Sequence, residues 1–561
     1  MEGGEKDGCS CCGKKYEEKE ICMKQRNALL SVFNKNGIVE FARTLVNLGW
    51  VIYSSGGTAK AVAKEGIPVN DVSTLVGGAA ILGHRVVTLS REVHAGLLAR
   101  YIEEDLEEME KLGLPYIDLV CVDMYPLIEE INKEGSTPES VIEKTDIGGP
   151  TMLRSGAKGR RIVVCDVADR ETVITWLEAG EPGSEIFRTS LAAKAEVTVA
   201  DYCLASGVYH GNGEYAGMIG ERVIHCKYGE NAYQTPADLY KNMSESEDPL
   251  ALSRFELVAG DSPSYNNLCD LDRLLQTIIH IAATFDVNYR KVPLIAVGVK
   301  HGNACGAAIG DHYSYFNVIQ KMIMGDPLAI FGGLLMVTFG VDEAGAEEIL
   351  TYGMPTGERR LLDGIIAPHF TEGALEMLRR KKDKCRMIIN PALAELCSNS
   401  IDRNPRFRCV RGGFLAQPNY TFVLDLKDPD LVIHSRALPE QEMDMLLAKA
   451  ICDTSNSNTI TLVNDFTLVG NGVGQQARVY GSRLALSRAA VSKHTVFGAS
   501  AASDSFFPEL DGVEALSDSG IKAIVTSSGS VRDEKVIEFC IKKGIALYMI
   551  PDKKGRGFFG H

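Results

Sequence analysis

Residues 28–54 read ALLSVFNKNGIVEFARTLVNLGWVIYS, and their periodicity decides the architecture. ALLSV is a short apolar run. Ile38, Phe41, Ala42, Leu45 and Leu48 then recur at the spacing of one helix face, and Gly49 closes that helix before a second short run, VIYS. Strand, helix and strand in this order make a βαβ unit. Working outward, further strands are predicted at Ile117–Asp123 and Arg161–Val164, with helical segments between them such as Ile102–Leu112. The fold class is α/β, opening with a parallel-sheet domain over residues 25–215. Helical periodicity runs from Thr189 to Leu204, and the Gly-rich SGVYHGNGEY, Ser206–Tyr215, is the expected linker. Residues 216–561 mix strands and helices without a fixed repeat period and fit two further α/β lobes.

Composition narrows the function. With 561 residues, 45% hydrophobic and 24% charged, the chain is of globular type. Its 59 basic and 74 acidic side chains leave a net charge of −15, which repels a phosphate backbone and argues against nucleic acid as a partner. The opening is polar and the longest apolar stretch, Ala329–Val341, is too short for a bilayer, so no membrane is expected. Fifteen cysteines from Cys9 to Cys540 read as reduced thiols and a cytoplasmic address. Residues 1–24 carry six acidic and five basic side chains and read as a flexible extension. Its Cys9, Cys11, Cys12 and Cys22 lack the spacing of paired metal knuckles, and no metal is expected.

Three motifs carry chemistry. Ser54-Ser55-Gly56-Gly57-Thr58-Ala59-Lys60 follows a strand and opens a helix, so it is either an anion seat or a capped turn. Asn34 and Lys35 come to the same end of the sheet. Asp146-Ile147-Gly148-Gly149, with Arg154 and Lys158 behind it, is a charged helix start. Lys300-His301-Gly302 closes the apolar run PLIAVGV and offers a tunable base beside a cation. Gly470-Asn471-Gly472-Val473-Gly474 lacks the spacing of a dinucleotide fingerprint.

In order, SSGGTAK, VHAGLLAR (93–100), MYP (124–126), DIGGPTMLR, KYGENAYQ (227–234), SYNNLCDLD (264–272), VKHGNACG, DGIIAP (363–368), SNSN (455–458), GVGQQAR and ASDSFFP (502–508) resemble a family. It is the bifunctional aminoimidazolecarboxamide ribonucleotide (AICAR) formyltransferase and inosine monophosphate (IMP) cyclohydrolase family of purine synthesis. The resemblance implies a methylglyoxal-synthase-like N-terminal domain, and a C-terminal region of two duplicated cytidine-deaminase-like lobes. It also implies a homodimer, 10-formyltetrahydrofolate as co-substrate, and AICAR, formyl-AICAR and IMP as the other ligands. The alternative reading is a formyltransferase whose N-terminal domain only binds nucleotide or supports the dimer.

By the same resemblance His301 is the base of formyl transfer, Lys300 stabilises the oxyanion or protonates the leaving folate nitrogen, and Asn458 orients the amine. Lys227, Tyr228, Asn267, Gly332, Asp363, Gln476, Arg478, Phe506 and Arg556 match positions that hold substrate, with Asp511 and Ser530 near the folate. Tyr125, Asp146 and Lys158 match the cyclisation site, and Ser31, Lys35, Ser55, Gly56, Gly57 and Thr58 its phosphate seat.

Several positions depart from the family pattern. Lys227 replaces an arginine and offers a phosphate one point charge instead of a fork. Ala304 replaces a proline, and Arg556 stands in for an arginine of a rearranged terminal motif. Where the family has R-V-K-T-L-H-P, residues 85–91 read RVVTLSR, so the lysine credited with stabilising the cyclisation oxyanion is Val87. Phe33 and Asn34 replace a serine and an aspartate.

Overall fold

The computed structural model describes residues 25–83, 85–243, 248–311 and 315–560. The four N-terminal cysteines and His561 lie outside them. The chain forms two compact units, one ending at Ile219 with a small return at residues 242–244, the other holding the rest.

Unit 1 is built on five parallel strands, β1 (Asn27–Val32), β2 (Val51–Ser54), β3 (Asn70–Asp71), β4 (Leu119–Asp123) and β5 (Ile162–Val164), in the order β3-β2-β1-β4-β5. β1 is buried on both faces, which explains its unbroken apolar run. Leu30 faces a cluster with Phe41 and Trp176, while Leu29 faces one with Leu153 and Val199. Because every strand is parallel, the loops after β1, β2 and β4 leave from one edge of the sheet. That edge carries Lys35, Gly57 and Tyr125.

The expected linker is shorter than its composition suggests. A single helix runs Ser184–His210 and absorbs Ser206–His210, so only the second half of SGVYHGNGEY leaves it. Gly207 costs a helix about 1 kcal/mol. Burial of Leu191, Ala195, Val199 and Tyr202 on the same helix outweighs that cost.

Unit 2 begins with the hairpin β6 (Gly220–Cys226) and β7 (Ala237–Asn242), and its main feature is one twelve-stranded sheet. The first half holds β8 (Glu256–Ala259), β9 (Leu294–Lys300), β10 (Asn303–Gly310), β11 (Leu334–Val337), β12 (Gly364–Ala367) and β13 (Arg386–Ile389). After a small hairpin, β14 (Arg406–Val410) with β15 (Gly413–Gln417), the second half holds β16 (Val432–Ser435), β17 (Ile460–Asn464), β18 (Thr467–Gly472), β19 (Ser500–Ser503), β20 (Ala523–Ser528) and β21 (Ala546–Pro551).

The order across the sheet is β16-β21-β20-β19-β17-β18-β10-β9-β11-β12-β13-β8, so each half runs outward in the same pattern from a central hairpin. The halves meet where β10 and β18 pair antiparallel, with Ala308 opposite Thr467. In both halves a long helix precedes the central hairpin and an aspartate from it holds the hairpin turn. Asp270 takes the Gly302 N–H at 2.6 Å, and Asp444 takes those of Asp465 and Phe466 at 3.1 and 2.8 Å.

Gly470 and Gly472 have a packing role. A β-carbon on either would run into backbone of the helix Arg478–Val491. Among the described residues no helix is long and apolar enough to cross a membrane.

Candidate active sites

In unit 2, β9 and β10 are joined by His301 and Gly302, both at positive φ, 52° and 73°. Two such residues make the turn that matches strand twist, and only the glycine adopts it freely. The histidine is held there. Besides Asp270, Arg273 Nε donates to Gly302 O at 2.9 Å, and Asn303 Nδ2 donates to His301 O at 3.1 Å. Burial raises the Asp270 carboxyl above its ordinary range, opposed by the Gly302 N–H and by the His301 ring beside it.

Lys300 Nζ donates to Phe331 O at 2.5 Å and stands 3.9 Å from where a β-carbon would sit on Gly332. Gly333 O accepts the Asp363 N–H at 3.1 Å, which brings Lys300, Gly332 and Asp363 to one end of the sheet.

Across the seam, Asn303 Oδ1 accepts the Asn456 N–H at 3.0 Å, and Arg273 Nη2 donates to Asn456 Oδ1 at 2.5 Å. Two residues on, Asn458 Nδ2 donates to Gln475 O at 2.8 Å, with Gln476 O at 3.4 Å. Asn458 Oδ1 accepts from Arg478 Nη2 at 2.8 Å. Arg478 in turn pairs with the fully buried Asp504, whose Oδ2 takes the Thr459 N–H at 3.0 Å. The His301 turn and the Asn458 strand entry thus belong to one hydrogen-bonded frame.

The other expected substrate residues have the following partners. Lys227 pairs with Asp261 at 2.6 Å, Tyr228 O accepts the Tyr265 N–H at 3.0 Å, and Asn267 closes a capping box with Ser264. All three lie at the start of the helix Tyr265–Tyr289 that supplies Asp270 and Arg273. Phe506 flanks Gly529, the neighbour of Ser530. Arg556 Nε donates to Asp552 at 2.6 Å, and the same aspartate accepts from Ser505 and Ser527 at 2.6 and 2.5 Å. Asp511 opens the helix Asp511–Asp518 and accepts the Gly512 N–H at 2.8 Å.

Unit 1 places a second group of residues at the carboxyl edge of its sheet. Lys35 Nζ donates to the carbonyls of Val32 and Phe33 and lies 3.9 Å from a β-carbon position on Gly57. The ammonium therefore sits at the N-terminus of the helix Gly56–Lys64, where free N–H groups favour an anion. Burial lowers its pKa, with Asp123 opposing. Ser55 caps this helix without a side-chain bond. Thr58 is differently occupied, since its hydroxyl bonds both N–H and O of Val32 at 3.1 and 3.0 Å. Ser31 is half-buried near the end of β1.

Asp123 takes the N–H groups of Phe33 and Asn34 and pairs with Arg170 at 2.9 Å, with side chains 16% and 6% exposed.

The Asp146 carboxylate takes the Gly149 N–H at 2.8 Å and faces the N–H groups of Tyr125 and Gly148. Burial nevertheless raises its pKa. Burial, then the Asp146 charge, raises Tyr125. Tyr202 OH accepts the Asp146 N–H at 2.6 Å and donates to Lys144 O at 3.1 Å. Val87 packs, half-buried, against the core cluster that holds Leu29, Leu153 and Val199, and Thr88 Oγ1 lies 2.8 Å from a β-carbon position on Gly148.

Lys158 stands apart. It is exposed and ends the helix that begins at Gly148. At 1.5 Å per residue that is ~15 Å along the axis. Asp270, Arg273, Asn456, Asp504, Tyr202 and Lys144 escaped the motif reading. Asp270 inside SYNNLCDLD, Asn456 inside SNSN and Asp504 inside ASDSFFP lay within quoted motifs and carried a signal that could have found them; Arg273, Tyr202 and Lys144 did not.

A family model described as the AICARFT/IMPCHase bienzyme matches residues 158–488, and one described as an MGS-like domain matches residues 37–151. The bifunctional purine biosynthesis proteins PurH of Prochlorococcus marinus and Anoxybacillus flavithermus are 34% and 35% identical over 93% of this chain and 98% of their own. That of Parvibaculum lavamentivorans is 33% identical over 96% and 98%. A solved structure, the crystal structure of ForH, is 34% identical and covers 34% of this chain and 100% of its own, at a TM-score of 0.31.

Proposed function

The chain belongs to the AICARFT/IMPCHase bienzyme family, and from that premise we propose how its residues divide the work. It is a bifunctional enzyme of purine biosynthesis, an AICAR formyltransferase and an IMP cyclohydrolase. The formyl donor is a folate, and we take it to be 10-formyltetrahydrofolate. Unit 2 is assigned formyl transfer and unit 1, whose N-terminal part is MGS-like, cyclisation. The repeated strand order of unit 2 supports reading its halves as deaminase-like lobes.

The exocyclic amine of AICAR is a weak nucleophile because its ring and carboxamide withdraw the lone pair. A base must take its proton as the N–C bond forms. His301 is assigned that role, Lys300 the developing oxyanion or the departing folate nitrogen, and Asn458 the placement of the amine. Gly332, Asp363, Gln476, Arg478, Lys227, Tyr228, Asn267 and Arg556 are assigned to the nucleotide, and Phe506, Asp511 and Ser530 to the region where it meets the folate. No metal is needed for the steps so written.

The observation that carries this reading is the Asn303 to Asn456 bond, which joins the His301 turn to the strand entry bearing Asn458. In unit 1, Lys35, Ser31, Ser55, Gly56 and Gly57 are assigned to the phosphate, with Thr58 fixing that loop to β1. Tyr125 and Asp146 are assigned to ring closure. Lys158, at the far end of its helix, is not given a direct role. A homodimer in the cytoplasm is part of the proposal, supported by the resemblance and by the thiol-rich composition.

The test is direct. Purified protein given AICAR and 10-formyltetrahydrofolate is expected to release tetrahydrofolate and formyl-AICAR, and to convert chemically made formyl-AICAR to IMP. Failure of the first reaction in active-site-titrated protein overturns the assignment of unit 2; failure of the second overturns that of unit 1.

A further inference from the structure

We propose that Lys144 is the cation of the cyclisation site. Ring closure adds the carboxamide nitrogen of formyl-AICAR to the formyl carbon, and negative charge develops on the formyl oxygen. A fixed donor or cation at that oxygen is the largest help a site can give. Around Asp146 and Tyr125 the described residues offer a carboxyl, two phenols, the Thr88 hydroxyl and an apolar wall containing Val87. Lys35 is committed to the phosphate seat. One further ammonium stands close by.

Lys144 follows the short helix Pro138–Glu143, two positions before Asp146. Its carbonyl accepts from the same Tyr202 hydroxyl that receives the Asp146 N–H, so one buried phenol anchors both residues. Its Nζ lies 5.5 Å from the centroid of the Phe33 ring, and that ring meets Tyr125 edge-on at 5.8 Å. An aromatic face holds an ammonium without neutralising it. Phe33 thus carries the Lys144 ammonium over its ring and Tyr125 as its edge-on neighbour.

The step balances as follows. The carboxamide nitrogen bonds to the formyl carbon and gives one proton to Asp146, while the Lys144 ammonium stabilises the charge on the formyl oxygen. Asp146 returns that proton to the oxygen, giving a hydroxyl; the freed carboxylate then takes the proton of the formamido nitrogen and passes it to this hydroxyl as the C–O bond breaks, releasing water and leaving the C=N bond of the product. Burial of Asp146, which raises its proton affinity, suits a group that takes and returns one proton.

This inference rests on the assignment of Tyr125 and Asp146 to ring closure, and the experiment separates the two. Conversion of chemically made formyl-AICAR to IMP is measured for wild type, Lys144→Met, Val87→Lys and the double variant, with formyl transfer and melting temperature as controls. Lys144→Met is expected to lower the kcat of cyclisation ~100-fold with KM within about threefold, as for loss of one oxyanion donor. Adding Val87→Lys is expected to recover part of it, which a folding defect would not allow. Cyclisation of Lys144→Met within threefold of wild type overturns the inference and leaves the assignment of the site standing. No IMP from wild type overturns both.

Discussion

Asp270 and Asp444 hold corresponding turns in the two halves of the large sheet. Asp270 accepts the Gly302 N–H at 2.6 Å, and Asp444 accepts those of Asp465 and Phe466 at 3.1 and 2.8 Å. Only the first turn carries a histidine. A carboxylate under a two-residue turn satisfies N–H groups that the hairpin leaves free and fixes an unfavourable positive φ on a non-glycine residue. The same device holds a plain turn in one half and, in the other, the turn of His301, the residue proposed as base.

Asp270→Asn is therefore expected to lower formyl transfer 10- to 100-fold while AICAR affinity, read by calorimetry, changes less than about threefold. A small loss of placement in a reacting group has effects of that order. Near-normal kcat would show that Arg273 and Asn303 hold the turn without it.

Burial pushes the Asp444 carboxyl up to about 6. Its folded pKa is raised, so its contribution to stability is full below about pH 4 and falls as pH rises through about 6. A shift of about two units corresponds to ~3 kcal/mol. Asp444→Asn loses part of the turn's bonding but should not show this fall. Melting temperatures of variant and wild type are expected to converge as pH goes from 4 to 7, and a constant difference would contradict the assignment.

His301→Ala is expected to reduce formyl transfer by at least ~100-fold, the usual worth of a general base. Cyclisation of added formyl-AICAR should be untouched, since it is assigned to the other unit. Assaying both reactions on one preparation makes the comparison internal. Equal loss of both would point to misfolding or to a wrong division of labour.

Arg170→Ala leaves Asp123 charged and nearly buried without its partner, at a cost of ~3 kcal/mol. Asp123 also holds the Phe33 and Asn34 N–H groups. The expected result is a lower melting transition and a raised KM for formyl-AICAR, with formyl transfer unchanged. An unaltered KM would separate the Phe33–Lys35 loop from phosphate binding.

Much of unit 1 was legible from residues 28–54, because a strand buried on both faces reads as an unbroken apolar run and the helix after it is strongly one-sided. The linker was misjudged for a physical reason. Gly207 weakens a helix locally, but burial of Val199 and Tyr202 keeps the helix intact to His210. In the sites, Lys300 and His301 stood out because an apolar strand ended on them. Asp270 lies 32 residues upstream of the Gly302 it holds, and only the folded sheet brings them together. Lys158, read in the same stretch as Asp146, is carried to the other end of the helix Gly148–Lys158 by the residues between them. Thr58 belongs to the phosphate-seat motif, yet its hydroxyl serves the strand beside it.

The junction between β10 and β18 sets a condition on any dissection of this molecule. His301 is on one margin and Asn458 on the other, so under the proposed division of roles neither half can be a working fragment by itself. Severing the chain near the small β14–β15 hairpin would yield two pieces, each inert. Activity would return only when they re-annealed edge to edge, making turnover a gauge of how faithfully that edge is rebuilt.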